Sequence, residues 1–197
     1  MWRKSLDGNP SVAAKANRET GRRVAFVRGI NVGGARSLRM DELRRLAAAA
    51  GFHNVTTLGA SGNVLYSSNR PPTVDARKLT DLLVTQLQKA TIVVRTASEM
   101  ERIVRTAPFV KPDPSVPDKW RFVALLEKAS EGLLPDLPAA SPVKFAGRSE
   151  REVFYTMSEP TSHAIAMVAR LERNLGTSLT VRNWNVVRTI AEKLNTP

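Results

Sequence analysis

Cysteine is absent from this sequence of 197 residues, and aromatic residues and long apolar runs are scarce. The absence of cysteine excludes disulfides, thiolate nucleophiles and thiolate-ligated zinc or iron–sulfur clusters, and it is typical of a reducing compartment. No apolar run approaches the roughly 20 residues that a membrane-spanning helix needs, and residues 1–22 lack the apolar stretch of a secretory signal. We therefore expect a cytoplasmic protein without a membrane partner.

Carboxylate pairs and metal-ligand clusters are also scarce. Between residues 23 and 98 the acids are Asp41, Glu42, Asp75 and Asp81, all on predicted helices. Neither histidine of the chain has a second ligand at metal spacing. We therefore expect no metal site and no hydrolase of the two-carboxylate kind, and the sequence indicates no particular cofactor.

Basic residues are abundant, and they are concentrated in the first half of the chain. The formal net charge is +12; residues 1–98 contain 16 Lys/Arg against 6 Asp/Glu, whereas residues 99–197 contain 14 against 12. Such a field raises the local concentration of phosphate-bearing ligands or nucleic acid. Solubility alone is an equally open explanation of the charge.

Hydrophobic periodicity in the first half predicts two helices among four strands. Apolar residues recur at helical spacing in the helices, and short apolar runs bounded by turn residues mark the strands. The predicted elements are, in chain order, strand Val24–Arg28, helix Met40–Ala50, strands Val55–Ala60 and Val64–Ser68, helix Val74–Lys89 and strand Ile92–Arg95. This order is that of the ferredoxin-like βαββαβ unit, so the predicted fold class is α+β.

The second half is predicted to repeat this unit after a connection. A capping box at Thr96-Ala97-Ser98-Glu99 starts a connecting helix, and a proline-rich joint follows from Pro108 to Pro117. The later elements are strand Trp120–Leu126, a helical turn near Ser130–Leu134, strands near Val143–Phe145 and Glu152–Thr156, helix Ser162–Leu175, strand Leu179–Val181 and helix Trp184–Leu194. We therefore predict a flexible basic arm over residues 1–22, one ferredoxin-like unit over 23–96, a connection over 97–118, and a second unit with a closing C-terminal helix over 119–197.

The segment Arg28-Gly29-Ile30-Asn31-Val32-Gly33-Gly34 directly follows the first predicted strand. A strand that opens into glycines can direct several backbone N–H groups toward one point, which is how an anion-binding nest is built. The spacing matches neither the dinucleotide fingerprint nor the phosphate loop that ends in Lys-Ser/Thr, so it names no ligand. The candidate ligand-binding residues are Arg28, Asn31, Gly33, Gly34 and Arg36 of this loop, Ser61 and Asn63 of the turn between two strands, and Arg182 and Asn185 beside the last helix.

These candidates also have purely structural interpretations. Gly33 and Gly34 are equally suited to a loop that needs positive φ angles. Ser61 precedes Gly-Asn, which is ordinary turn chemistry, and no histidine or lysine lies nearby in sequence to activate it as a nucleophile. Asn183 is expected to cap the last helix and Trp184 to lie in the core, which leaves the opposite face of that helix available for an anion.

Several segments of this sequence resemble a known bacterial family. They are Arg28-Gly29-Ile30-Asn31-Val32-Gly33-Gly34 with the strand before it, Met40-Asp41-Glu42-Leu43-Arg44, Gly51-Phe52, Ser61-Gly62-Asn63-Val64, Val94-Arg95-Thr96 and Arg182-Asn183-Trp184-Asn185. From about Arg23 to Leu194 the chain is similar to the family called domain of unknown function 1697, which has no settled activity. The resemblance implies a cytoplasmic α+β protein made of two related ferredoxin-like units.

Three functions are open at this point. The first is binding of a small anionic or phosphate-bearing ligand where the Asn31–Gly34 loop meets the Ser61–Asn63 turn. The second is nonspecific nucleic-acid binding through the basic first half, although the aromatic platform of RNA-recognition domains is absent. The third is an enzyme that acts on a phosphorylated metabolite and stabilises charge with its arginines. We favour the small-ligand site because the distinctive segments lie in loops expected to converge, whereas the basic residues are spread.

Salt-dependent binding of nucleic acid tests the second hypothesis. Generic RNA or DNA should bind with a Kd of about 10⁻⁴ to 10⁻⁶ M at physiological salt, and log affinity should fall linearly with log salt concentration. Deletion of the basic arm over residues 1–22 should weaken this binding. Fluorescence polarisation across a salt series measures both effects, and a lack of polyanion binding at low ionic strength would eliminate the hypothesis.

Overall fold

The computed structural model describes residues 21–30, 38–87, 91–110, 116–158 and 163–196. These residues form five α-helices and eight β-strands, which makes the protein α+β. The elements are β1 (Gly21–Val27), α1 (Met40–Ala49), β2 (His53–Leu58), β3 (Asn63–Ser68), α2 (Pro72–Leu87), β4 (Ile92–Thr96), α3 (Ala97–Thr106), β5 (Arg121–Leu126), β6 (Val143–Arg148), β7 (Glu152–Met157), α4 (His163–Leu175), β8 (Leu179–Asn183) and α5 (Trp184–Asn195). No helix among the described residues is long and apolar enough to cross a membrane.

The strands form two antiparallel sheets of four strands each. The first sheet has the order β2-β3-β1-β4 and the second has the order β6-β7-β5-β8, so the two correspond strand for strand. In each sheet the first strand of the half lies in the centre, between the third and the fourth. The end of β1 therefore lies beside the start of β3, where Phe26 is paired with Asn63.

Two predictions about local structure need correction. Strand β1 begins at Gly21, inside the predicted flexible arm, so a truncation that removes only the arm should end at residue 20. The helical turn predicted near Ser130–Leu134 is absent, and residues 127–142 contain no helix. This segment is not helical because it is bound to the end of α4, where the Ser130 hydroxyl donates to the Leu175 carbonyl at 2.6 Å. Gly132 lies so close to α4 that a Cβ atom there would come within 2.4 Å of the Asn174 carbonyl oxygen.

The hydrophobic core has an inner part that joins the two sheets and two outer parts. Along β1, Val24 and Phe26 face the inner core, whereas Ala25 and Val27 face the outer core beneath α1 and α2, as the two-residue period of a strand requires. The inner core also contains one face of the second sheet together with α3 and α5. The other face of the second sheet packs against α4. Because both faces of each sheet are covered, the central strands are buried almost throughout.

The caps expected at the starts of α3 and α5 are present. Thr96 and Glu99 form a reciprocal capping box, and the Asn183 side chain accepts the Asn185 N–H at 3.0 Å. Trp184 is buried in the inner core, and the centroid of its ring lies 5.4 Å from the centroid of the Phe109 ring. The sequence predictions for the capping box, for Asn183 and for Trp184 are thus confirmed.

Arg95 of β4 is fully buried and reaches across to the second half of the chain. Its Nε donates to the Glu152 carboxylate at 3.2 Å, and its Nη2 donates to the carbonyls of Leu126 at 2.8 Å and Arg151 at 3.1 Å. Desolvation by burial is the main cause that lowers the pKa of Arg95, to about 10, so the guanidinium is still charged at neutral pH. The Arg95–Glu152 pair therefore fastens the edge of the first sheet to the second sheet.

Arg182 of β8 makes the reciprocal connection to the first half. Its Nε donates to the Asn63 side-chain oxygen at 2.5 Å, and its Nη2 donates to the carbonyls of Val27 at 3.0 Å and Ser61 at 2.8 Å. Leu126 and Val27 are the last residues of β5 and β1, and Glu152 and Asn63 are the first residues of β7 and β3. Each of these contacts of Arg95 thus has a counterpart around Arg182. We call the two sets of contacts the arginine clasps.

The Arg95 clasp predicts a strong coupling between two residues from different halves. Arg95→Met should lower the free energy of unfolding by about 3 kcal/mol, because it removes the buried one of the two arginines that pair with the fully buried Glu152 carboxylate and leaves only the partly exposed Arg102. The double variant Arg95→Met/Glu152→Leu should lose less than the single variant, since no buried charge is left. Urea denaturation of the four proteins of this double-mutant cycle measures the coupling. Additive losses would contradict the clasp.

Candidate functional site

The turn that follows β1 faces the second half of the chain. The Arg28 N–H donates to the Thr91 carbonyl at 2.9 Å, and Gly29 has a φ of +73°, a conformation that glycine adopts without strain. The Arg28 side chain is about one-third exposed and forms an ion pair with Glu172 of α4. Arg28 therefore stands at the boundary between the two halves, within reach of solvent.

This turn is one wall of a cleft of about 570 Å³. The opposite wall is built from the end of α4 and the loop that leads into β8. The cleft is lined by Arg28, Gly29, Thr91, Glu172, Arg173, Gly176, Thr177 and Ser178. It is wide enough for a small molecule rather than a lone inorganic ion.

The charges of the cleft are positive on balance. Arg28 and Arg173 carry two positive charges against the single carboxylate of Glu172. That carboxylate also accepts the Leu179 N–H at 3.0 Å, so two donors from different elements hold it in place. Arg173 is exposed on the last turn of α4, where a cation offsets the negative end of the helix dipole.

The turn before β3 is close to this cleft, but its polar groups are engaged within the protein. Asn63 is buried; its amide donates to the Leu58 carbonyl at 2.9 Å and its oxygen accepts from Arg182. The Ser61 side chain is exposed, while the Ser61 carbonyl accepts from Arg182. The structure thus brings Ser61, Asn63 and Arg182 together, as the ligand-site hypothesis required, but it joins them to one another.

Arg182 has no N–H group left for a ligand. Besides its contacts with the first half, its Nη1 donates to the Thr180 hydroxyl at 2.7 Å and to the Val181 carbonyl at 2.8 Å. The five N–H groups of the guanidinium are therefore matched by five acceptors. A ligand could contact this group only by displacing part of the clasp, and a ligand role for Arg182 stays a prediction.

Asn185 does not line the cleft. It is exposed on α5, where its side-chain oxygen accepts from Arg188 at 2.5 Å. Asn31, Gly33, Gly34 and Arg36 lie outside the described residues. Of the predicted residues that the structure describes, Arg28 is the one that lines the cleft.

Sequence reasoning missed most of the cleft. Thr91, beside Arg28, and Glu172, Arg173, Thr177 and Ser178 of the opposite wall are not among the predicted site residues. A helix stop followed by two hydroxyl residues and a strand is a weak signal, because the same pattern is ordinary loop chemistry. This loop becomes a candidate part of the site only because the fold places it in the same cleft as Arg28.

Comparison with known proteins supports the fold and adds no activity. The family described as "Protein of unknown function (DUF1697)" matches residues 21–155. The chain is similar to the structure titled "The structure of conserved bacterial protein SP0830 from Streptococcus pneumoniae", with a TM-score of 0.67 and 19% identity over 89% of this chain and 99% of that one. At that identity the likeness concerns the fold alone. No curated protein matches the chain.

Two glycines beside the cleft offer a matched test of its geometry. Gly62 has a φ of +72°, and a Cβ atom there would lie 2.6 Å from Ile30 Cδ1 and 2.9 Å from the Val27 carbonyl oxygen. Gly29 has almost the same φ but open space around it. Gly62→Ala should therefore lower the free energy of unfolding by about 3 kcal/mol, from strain and overpacking together, and Gly29→Ala by about 1 kcal/mol from strain alone. Chemical denaturation of both variants measures the difference, and equal losses would contradict the close approach at Gly62.

Proposed function

We propose, for a chain that belongs to the DUF1697 family of proteins of unknown function, that it binds a small anionic ligand, such as a phosphate-bearing metabolite, in the cleft beside Arg28. The observation that carries the proposal is that two arginines from different halves, Arg28 after β1 and Arg173 at the end of α4, line one cleft of about 570 Å³. Guanidinium groups bind phosphate and carboxylate oxygens through paired N–H donors.

The arginine clasp nearest the cleft strengthens this argument. Arg182 is buried and charged, and its hydrogen-bond acceptors are carbonyl, amide and hydroxyl oxygens without a carboxylate. Desolvation by burial lowers the pKa of Arg182 to about 10, so its positive charge persists at neutral pH. One of its acceptors is the carbonyl of Val27, the residue directly before Arg28. The clasp thus adds an uncompensated positive charge just behind the cleft, where it attracts an anion.

The ion pair between Arg28 and Glu172 determines how much negative charge a ligand needs in order to bind Arg28. A ligand that binds Arg28 must displace the Glu172 carboxylate from it, while Glu172 keeps its bond from the Leu179 N–H. A group with two negative charges competes better for the guanidinium than a group with one. This favours phosphate esters over simple carboxylates.

The described cleft favours binding over catalysis. Its described lining contains hydroxyl groups on Thr91, Thr177 and Ser178 but no histidine or lysine that could act as a base for them. Nucleic-acid binding by α1 gains little support, since Arg39 is paired with Asp41 and Arg45 with Glu42. These local pairs reduce the free positive charge that would meet a phosphate backbone.

We also infer that the two halves are tandem ferredoxin-like units. The support is the matching strand order of the two sheets and the matching contacts of Arg95 and Arg182. The second half departs from the ferredoxin-like order of elements, because residues 127–142, which contain no helix, take the place of the first helix of the unit. The cleft then lies where the first strand of one unit ends against the last helix and strand of the other.

Two substitutions with opposite expected effects test the binding proposal. Arg28→Ala should weaken binding of pyrophosphate by about 10- to 100-fold, the value of a charge-assisted hydrogen bond. Glu172→Gln should strengthen it, because the amide frees Arg28 yet still accepts the Leu179 N–H. Isothermal titration calorimetry at low salt measures both. Arg45→Ala removes an equal charge remote from the cleft and is the control. Equal affinities in all four proteins, or the absence of any binding, would refute the proposal.

A further inference from the structure

The cleft beside Arg28 adjoins another one. Helix α2 and the bend after β5 enclose a second cleft, also of about 570 Å³, and Thr91 lines both. At the same place the backbone N–H of Lys128, from the second cleft, donates to the Thr177 hydroxyl of the first cleft at 3.2 Å. The two clefts thus meet along the boundary between the halves.

The second cleft differs from the first in its charge. Arg77, Lys128 and Arg151 are balanced by three carboxylates, Asp81, Glu99 and Glu127. Arg151 is engaged with Glu99 at 2.7 Å, whereas the other four charged side chains are exposed. A second anionic group would gain nothing from this balanced set. The cleft instead offers hydrogen-bond donors and acceptors side by side.

Part of the lining of the second cleft is apolar. Ile92 and Val94 of β4 and Ala76 of α2 line it, and the two β4 side chains are almost fully buried. An apolar surface edged by both donors and acceptors suits a flat, heteroatom-rich ring. Carboxylates accept from exocyclic amino groups, and Lys or Arg donates to ring nitrogens and carbonyl oxygens, which is the chemistry by which proteins read nucleobases.

We propose that the ligand is a nucleotide, with its phosphate between Arg28 and Arg173 and its nucleoside extending past Thr91 into the second cleft. This inference rests on the proposed anion site and adds the identity of the group attached to the anion. We assign the recognition of the nucleobase to two exposed side chains, Asp81 of α2 and Lys128 of the bend after β5. The volumes of the clefts are of the size that small-molecule sites have in proteins.

Calorimetric titration with ribose 5-phosphate and with each of the four common ribonucleoside monophosphates tests the inference. At least one nucleotide should bind 10-fold or more tightly than ribose 5-phosphate. The double variant Asp81→Ala/Lys128→Ala should lose most of that preference and keep the affinity for ribose 5-phosphate. Arg28→Ala should weaken both ligands by a similar factor. Both substituted residues of the double variant are exposed, and its melting temperature is the check on folding.

The outcomes separate this inference from the function on which it rests. If ribose 5-phosphate binds through Arg28 as tightly as every nucleotide, the nucleoside assignment is wrong and the anion site stands. If the double variant retains the full preference for a nucleotide, the second cleft does not hold the base and the inference fails. If neither sugar phosphate nor nucleotide binds, both proposals fail.

Discussion

Each half of the chain supplies one buried arginine that binds the other half, and the rest of this structure depends on these two sets of contacts. A buried guanidinium is stable only when its N–H groups are paired, and Arg95 and Arg182 each find three of those partners in the opposite half. One carbonyl acceptor of each arginine belongs to the last residue of β5 or β1, just before the chain bends away from the sheet. Each clasp therefore also fixes the strand end from which a cleft wall begins. The contact between the halves and the shape of the clefts consequently depend on the same hydrogen bonds.

The two clasps are alike in geometry and unlike in charge. The Glu152 carboxylate pairs with Arg95 and also with Arg102, whereas the equivalent partner of Arg182 is the uncharged Asn63. The clasp that contains a carboxylate lies near the cleft whose own charges cancel, and the clasp without one lies near the cleft that carries Arg28. A difference at one residue, a carboxylate in one sheet and an amide at the matching position of the other, thus distinguishes the electrostatics of these two places in the fold.

A residue-level trace of this relation is present in the sequence but is too short to be recognised there. Val94-Arg95-Thr96 and Val181-Arg182-Asn183 are equivalent: each ends a fourth strand, carries the clasp arginine and supplies the cap of the following helix. Three residues, with Thr replaced by Asn as the cap, do not stand out among chance matches. The halves consequently looked alike in the order of their elements and unrelated in their residues.

By itself the sequence determined the order of most helices and strands, the caps at Thr96 and Asn183, and the burial of Trp184. These follow from periodicity and from hydrogen bonds between residues close in the chain. Only the tertiary structure decided that residues 130–134 are not helical, that Asn63 belongs to a clasp and that Arg28 lines one cleft with Arg173 and Thr177. The contact between Asn63 and Arg182 joins residues 119 positions apart, and the cleft is formed by segments from both halves. Local pattern contains no record of such pairings, because they depend on how two sheets pack against a shared core.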